Sequence, residues 1–594
     1  MSPRLKFLVS SLLVGVLSVG IAYAGAVLTP VDTDAATETT SASELSGLRA
    51  EDQDGDGEIS ATEAVASLDA GEVLAGAAKA DITPQHGLAW NNDQDNITGP
   101  PWKKEGCATL GGDGASMVDP HTLDPRVKWA EGSGCIYSGG YGLGPMNPLY
   151  SFDEEYGLWA RSVVISDGTD ELVLTILDGA YYFAEYRDFC ENCGFRDIAN
   201  ELSADLGIDT SGFMLASTHS HASPDFIGAW GGVPEWYMEQ VKDAIKATIR
   251  AAYDSMRPAR IEMGEIVARQ FNGERRDFYR AAEEPGLSWF RLYEQGPSRP
   301  DDAIDYGPGG TYELGESPGG DGGNGGDPDP GGGQDTTGNS LRAIATVVSF
   351  AAHPVGMGSG PVAYADFPVT FAQRAEERFG GVGLFFQTGL GNMSSSGGGH
   401  PEGENTMERL GFGTAELLPP IGQGRTPAST DIVTSQRFWN QPVTNTVLGG
   451  GGLVGIFDRP FEQTPATVRA GESVQKQCTS ASPVSVRTSV SAAKIGNLWI
   501  TGGPGELFSN YTNTVKEKNP HGVTLPLALV NDGLGYIMQS FETDHAGRQG
   551  LGFAGVVVEY EDAYSIDHCF GDAALEATLI LLGAAEEGNL TALP

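Results

Sequence analysis

The stretch Phe213-Met214-Leu215-Ala216-Ser217-Thr218-His219-Ser220-His221-Ala222-Ser223-Pro224-Asp225 decides how the chain is read. Its first four residues are a short apolar run of the kind that forms a buried strand. The chain then turns through small residues and a proline. Two histidines one residue apart at a strand exit can face a cleft at a sheet edge. Neutral imidazole is a common zinc ligand. A hydrogen-bonded structural pair fits the same spacing, so the rest of the chain has to decide.

Three more apolar runs end in the same way. Residues 341–351 lead to Ala352-His353-Pro354, residues 498–501 to Gly502-Gly503-Pro504-Gly505-Glu506, and residues 525–530 to Asn531-Asp532-Gly533-Leu534-Gly535-Tyr536. Open α/β sheets gather ligands at the carboxyl ends of their strands. Two imidazoles (His219, His353), a carboxylate (Glu506) and a further oxygen (Tyr536) suit zinc. Each residue alone has an ordinary reading: a satisfied core histidine, a glutamate at a helix start where its charge is favourable, a tyrosine anchoring a turn. Together they point to one site.

The intervening sequence supplies the scaffold. Residues 161–166 and 171–177 flank Asp167-Gly168-Thr169-Asp170, a hairpin signal. Helical periodicity covers 195–206, 234–256 (with Tyr237, Val241, Ile245 and Ile249 on one face), 368–379 and 573–584. Strands are predicted near 78–83, 259–268 and 383–387, whereas 394–470 is Gly- and Pro-rich with little periodicity. The fold class predicted is α/β: a mixed β-sheet flanked by helices, with a metal site at strand C-terminal ends.

Of 594 residues, 79 are acidic and 36 basic, a formal net charge of −43. Such a surface repels nucleic acid and anionic membranes, so neither is an expected partner. Arg4 and Lys6 precede an apolar run from Phe7 to Ile21, and Ala22-Tyr23-Ala24 gives a cleavage site. Residues 1–24 therefore read as a signal peptide, and the run is too short for a membrane span. No integral span is expected, and the location is secreted or periplasmic. The six cysteines favour disulfides in an exported chain. Cys107–Cys135, Cys190–Cys193 and Cys478–Cys569 is one of 15 possible pairings; Cys190-x-x-Cys193 also fits a redox pair or half a zinc site.

Residues 25–76 read as a flexible leader holding an EF-hand-like calcium loop at 52–63. Asp52, Asp54 and Asp56 occupy positions 1, 3 and 5, Gly57 makes the turn, Glu58 can offer its carbonyl, and Glu63 can be bidentate at position 12. An acidic linker is the plain alternative. No partner hand is visible, so the calcium is expected to be structural. Residues 77–594 read as one domain, interrupted by a Gly/Asp/Pro-rich insert at about 315–339 that has little to bury.

Several segments resemble the neutral, non-lysosomal ceramidase family, in the family's order. Lys79-Ala80-Asp81-Ile82-Thr83 is similar to its first strand, and Thr218-His219-Ser220-His221 resembles its T-H-T-H segment. Phe350-Ala351-Ala352-His353-Pro354 and Gln387-Thr388-Gly389-Leu390-Gly391-Asn392 resemble its second-histidine strand and Q-T-x-x-G-N segment. Gly503-Pro504-Gly505-Glu506 resembles its G-x-P-x-E, and Asn531 to Tyr536 its tyrosine-bearing turn. The resemblance implies zinc ligation by His219, His353, Glu506 and Tyr536. It gives His221 a role on the reacting group, and Tyr560 a role in stabilising the oxyanion. Two segments depart from the family. Thr444-Asn445-Thr446-Val447-Leu448-Gly449 lacks the serine of G-T-S-x-A-x-G, and the N-R-S segment becomes Asn272-Gly273-Glu274-Arg275-Arg276, which makes Asn272, Arg275 and Arg276 the substrate-binding candidates. No counterpart of the family's C-terminal β-sandwich is expected after the closing helix.

The expected function is an exported zinc hydrolase cleaving an amide of N-acylsphingosine type or a related acyl bond, with a lipid or small acyl substrate. An esterase or lactonase, or a silent metal-containing binding protein, are the alternatives.

Overall fold

The computed structural model describes residues 71–84, 107, 134–141, 144–187, 190–276, 282–296, 305–306, 340–396, 400–471, 477–543 and 560–593. The signal peptide, the calcium loop with Asp52, Asp54, Asp56, Glu58 and Glu63, and the Gly/Asp/Pro-rich insert lie outside them.

Eight strands form the main sheet: β1 (Glu72–Asp81), β2 (Trp159–Ser166), β3 (Glu171–Leu177), β4 (Phe213–Ser217), β5 (Arg257–Val267), β6 (Gly286–Gly296), β7 (Ser340–Phe350) and β8 (Val382–Gln387). Their order is β8-β7-β6-β5-β1-β2-β3-β4, with a two-residue strand, Asp305–Tyr306, also on β1. The sheet is mixed. The middle pairs are antiparallel, and the outer pairs β7/β8 and β3/β4 are parallel. The hairpin expected around Asp167–Asp170 is present, running in register from Ala160↔Leu177 to Ser166↔Glu171.

Side chains alternate across the pleat. On β2, Val164 joins one core with helices α1 (Phe195–Leu206), α2 (Glu235–Asp254), α3 (Phe367–Phe379) and α4 (Thr406–Glu416). Val163 and Ile165 join the opposite core. There the main sheet meets a second sheet, ordered β9 (Ile432–Pro442), β10 (Ser485–Ile495), β11 (Leu498–Gly502), β12 (Val523–Leu527). Ile432, Ile495, Ile500 and Leu525 pack against Phe290, Leu292, Val347 and Leu384. The outer face of the second sheet is covered by α5 (Ser509–Glu517) and α6 (Phe570–Leu581). The α/β class predicted from sequence is the class observed.

The segment after β12 brings the two edges of the main sheet together. Ala528 N–H donates to Gln387 O at the end of β8, and Asn531 N–H donates to Leu215 O on β4. The exits of β4 and β7 therefore meet, although seven positions of the sheet order separate β8 from β4.

Residues 394–470 depart from expectation, since they contain α4, β9 and a helix at Thr446–Val454. The last is Leu448-Gly449-Gly450-Gly451-Gly452-Leu453 in sequence, poor in helix propensity. Asn445 caps it by accepting from the N–H groups of Val447 and Leu448, and Gly452 lies flush against Phe461.

All three disulfides pair as Cys107–Cys135, Cys190–Cys193 and Cys478–Cys569. No helix among the described residues is long and apolar enough to cross a membrane.

Candidate functional site

His219 sits two residues beyond β4. Its φ of 64° is left-handed, unusual for a side chain with a Cβ. The conformation is pinned on both sides, since Thr218 N–H donates to Leu177 O and His219 N–H to Gly179 O. His353 sits three residues beyond β7, its N–H on Met393 O. Glu506 and Tyr536 open two paired two-residue strands, Glu506–Leu507 and Tyr536–Ile537, where they are direct register partners.

Hydrogen bonds fix the imidazoles. His219 Nδ1 lies 2.8 Å from Ala180 O, and His353 Nδ1 lies 3.0 Å from Leu390 O. A carbonyl only accepts, so both Nδ1 atoms carry the proton and both Nε2 atoms present lone pairs. Those two Nε2 atoms lie 3.1 Å apart. Glu506 Oε2 is buried without a hydrogen-bond partner, 3.4 Å from one Nε2 and 3.6 Å from the other. Three acceptors thus face one another, an arrangement that is repulsive unless a cation lies among them.

The residues fit a zinc ion. Tetrahedral bonds near 2.0 Å place ligands about 3.3 Å apart, and the observed separations bracket that value. His221 adds a third imidazole, its Nε2 3.0 Å from His219 Nε2, and the three histidines together form a candidate metal group. Burial lowers the pKa of His221, and the neighbouring His219 and Arg275 lower it further. Burial also lowers His353, assisted by Arg275, His219 and His221. Both are held neutral, the metal-binding form.

His221 lies beneath the Gly139-Gly140-Tyr141 turn. The Tyr141 ring meets it edge-on at 5.1 Å. Gly140 has φ +91°, and a Cβ there would collide with the His221 ring. Tyr536 is buried, and its hydroxyl accepts from Arg275 Nη2 at 3.1 Å. The Tyr560 ring lies 6.0 Å from that of Tyr536 and is 41% exposed.

The other candidates form a layer behind these. Arg275 also reaches Gly391 O (2.8 Å) and Glu561 (3.0 Å). Arg276 is buried against Asp562 (3.1 Å) and the Glu542 carbonyl. Asn272 Nδ2 donates to the Glu284 and Ala351 carbonyls. In the segment lacking the serine, Asn445 Nδ2 donates to Ala563 O and Ser565 O. It thereby tethers the short helix Tyr560–Ala563.

Sequence reasoning missed Tyr181, whose hydroxyl donates to Glu506 Oε1 and whose ring packs edge-on against His219 at 4.7 Å. It follows the exit of β3, next to β4, so the strand-exit pattern extended to Asp178-Gly179-Ala180-Tyr181 would have found it. Burial, then the Glu506 charge, raises its pKa well above that of an ordinary phenol, so it remains a donor.

No protein-family model matches the chain, and no curated protein matches it in sequence. Among solved structures, the neutral ceramidase from Pseudomonas aeruginosa matches at a TM-score of 0.51 and 14% identity, over 87% of this chain and 76% of that one. A ceramidase complexed with C2 matches at a TM-score of 0.50 and 14% identity, over the same shares. At this identity the likeness is one of architecture: the chain has the fold of these neutral ceramidase structures.

Proposed function

We propose that this chain is an exported zinc-dependent hydrolase that cleaves an amide of N-acylsphingosine type or a related acyl bond. The observation that carries the reading is the convergence of the His219 and His353 Nε2 lone pairs on the unpartnered Glu506 Oε2. The fold shared with the neutral ceramidase structures supports the substrate class.

In this reading His219, His353 and Glu506 hold the ion and Tyr536 completes the set. When bound, zinc supplies Lewis acidity and lowers the pKa of water to about 7. His221, buried and neutral, takes a proton during attack and returns it to the leaving amine or alcohol. The partly exposed Tyr560, its ring 6.0 Å from that of Tyr536, donates to the carbonyl oxygen as charge develops. Arg275 orients Tyr536, and Asn445 and Arg276 fix the segment that carries Tyr560. The burial of the histidines excludes bulk water and strengthens these interactions.

A second reading makes His221 a ligand, favoured by its 3.0 Å approach to His219. His221→Ala separates the two: full zinc content with activity lost marks a proton carrier, and lost zinc marks a ligand. The function itself is tested on fluorescent ceramide and simple acyl esters, with and without chelator. Zinc without chelator-sensitive turnover on any acyl substrate would leave a binding protein and sink the hydrolase reading.

Calcium at Asp52, Asp54, Asp56, Glu58 and Glu63 belongs to the same proposal. Calorimetric titration of the full chain is expected to show a calcium site that Glu63→Gln weakens; no heat from the wild type would refute it.

A further inference from the structure

We propose that Tyr181 is a positioning residue that restricts Glu506 to a single oxygen at the metal; this rests on the zinc reading above. The two oxygens of Glu506 have different fates. Oε1 accepts the Tyr181 hydroxyl, and Oε2 has no hydrogen-bond partner and faces the Nε2 atoms of His219 and His353 at 3.4 and 3.6 Å. A carboxylate can bind a metal through one oxygen or two, and a hydrogen bond to a ligating carboxylate fixes its orientation. The Tyr181 bond holds Oε1 on its own side, and the unpartnered Oε2 is the oxygen turned to the imidazoles.

The tyrosine is itself held in place. Its ring meets His219 edge-on (4.7 Å, 83°) and stacks on Trp230 (5.8 Å, 15°). On another side it touches Gly533, where a Cβ would lie 2.7 Å from Tyr181 Cδ1. Gly533 belongs to the turn leading to Tyr536. One phenol therefore links the exits of β3, β4 and β12 to Glu506. The consequence for chemistry is a coordination position left open for substrate, which a bidentate Glu506 would fill.

Tyr181→Phe keeps the ring and its packing and removes only the hydroxyl. Zinc affinity, measured by chelator competition, is expected to fall roughly 10- to 100-fold, as for the loss of other partners of metal ligands. In the cobalt(II)-substituted protein, visible absorption is expected to weaken as coordination number rises. Unchanged affinity together with an unchanged cobalt spectrum overturns the proposal. A zinc-loaded crystal structure of the wild type tests it without any variant: one Glu506 oxygen on zinc and the other on Tyr181 supports it, and two oxygens on zinc overturns it. Wild-type protein that binds no zinc defeats the metal reading itself, a different failure from a normal Tyr181→Phe variant.

Discussion

At the scale of single residues, His221 depends on a position with no side chain. Gly140 combines φ +91° with a surface flush against the imidazole, so Gly140→Ala meets both backbone strain and a collision. The expected result is a fall in turnover of about 100-fold, the scale of losing a general acid–base, with zinc content retained if His221 is not a ligand. Turnover within a factor of two of wild type would show that His221 is not held by this turn. The convergence of His219, His353, Glu506 and Tyr536 was legible in sequence because each ends an apolar run with small residues before it. Tyr181 was not, because in Ala180-Tyr181-Tyr182-Phe183 it looks like core, and Tyr182 and Phe183 are indeed buried. The hydrogen-bond roles of Arg275 and Arg276 were equally hidden, since their partners Tyr536 and Asp562 lie 261 and 286 residues away.

At the scale of elements, α6 begins with an unusual acid. Asp572 is fully buried, its Oδ2 accepts from Ser540 N–H at 2.7 Å, and its Oδ1 has no partner. Burial pushes its pKa up to about 7. A carboxyl raised in the folded state contributes stability below its unfolded value near 4, and that contribution is lost as pH rises through about 7. Glu542, pushed up to about 7 by burial, acts in the same direction. The thermal stability of the wild type is therefore expected to fall between about pH 4 and 7, and Asp572→Asn to flatten that dependence; identical slopes for the two proteins would contradict it. The Cys478–Cys569 bond joins a strand to the residue preceding α6. Cys478→Ser with Cys569→Ser is expected to cost about 2–5 kcal/mol in denaturant unfolding, and no change would show the bond to be dispensable. Elements with a clean period, such as α1 and the β2–β3 hairpin, were readable from sequence. The helix at Thr446–Val454 was not: four successive glycines erase the helical signal, and the cap from Asn445 with contact to Phe461 replaces propensity. β9 was missed as well, because its middle residues, Thr434 to Arg437, are half-buried and carry no alternation.

At the scale of the whole molecule, a charge of −43 implies self-repulsion that salt screens. The melting temperature is expected to rise between about 10 mM and about 500 mM sodium chloride, as read by calorimetry; a flat or falling trend would show that the acidic surface does not strain the fold. The overall class was legible because strand exits and helical stretches alternate along the chain. The meeting of β4 and β8 edges was not, because its bridges are far apart in sequence: Ala528 N–H bonds Gln387 O, the Asn531 side chain bonds Phe213 and Leu215, and Gln387 Nε2 bonds Thr218 O. That closure brings His219 to His353, with 3.1 Å between their Nε2 atoms, and we propose that the result is a zinc centre. Elemental analysis of purified wild-type protein and of His219→Ala decides it. One zinc per wild-type chain and almost none in the variant is the expected result. Wild-type protein without zinc after supplementation, or a variant that retains it in full, would refute the zinc centre.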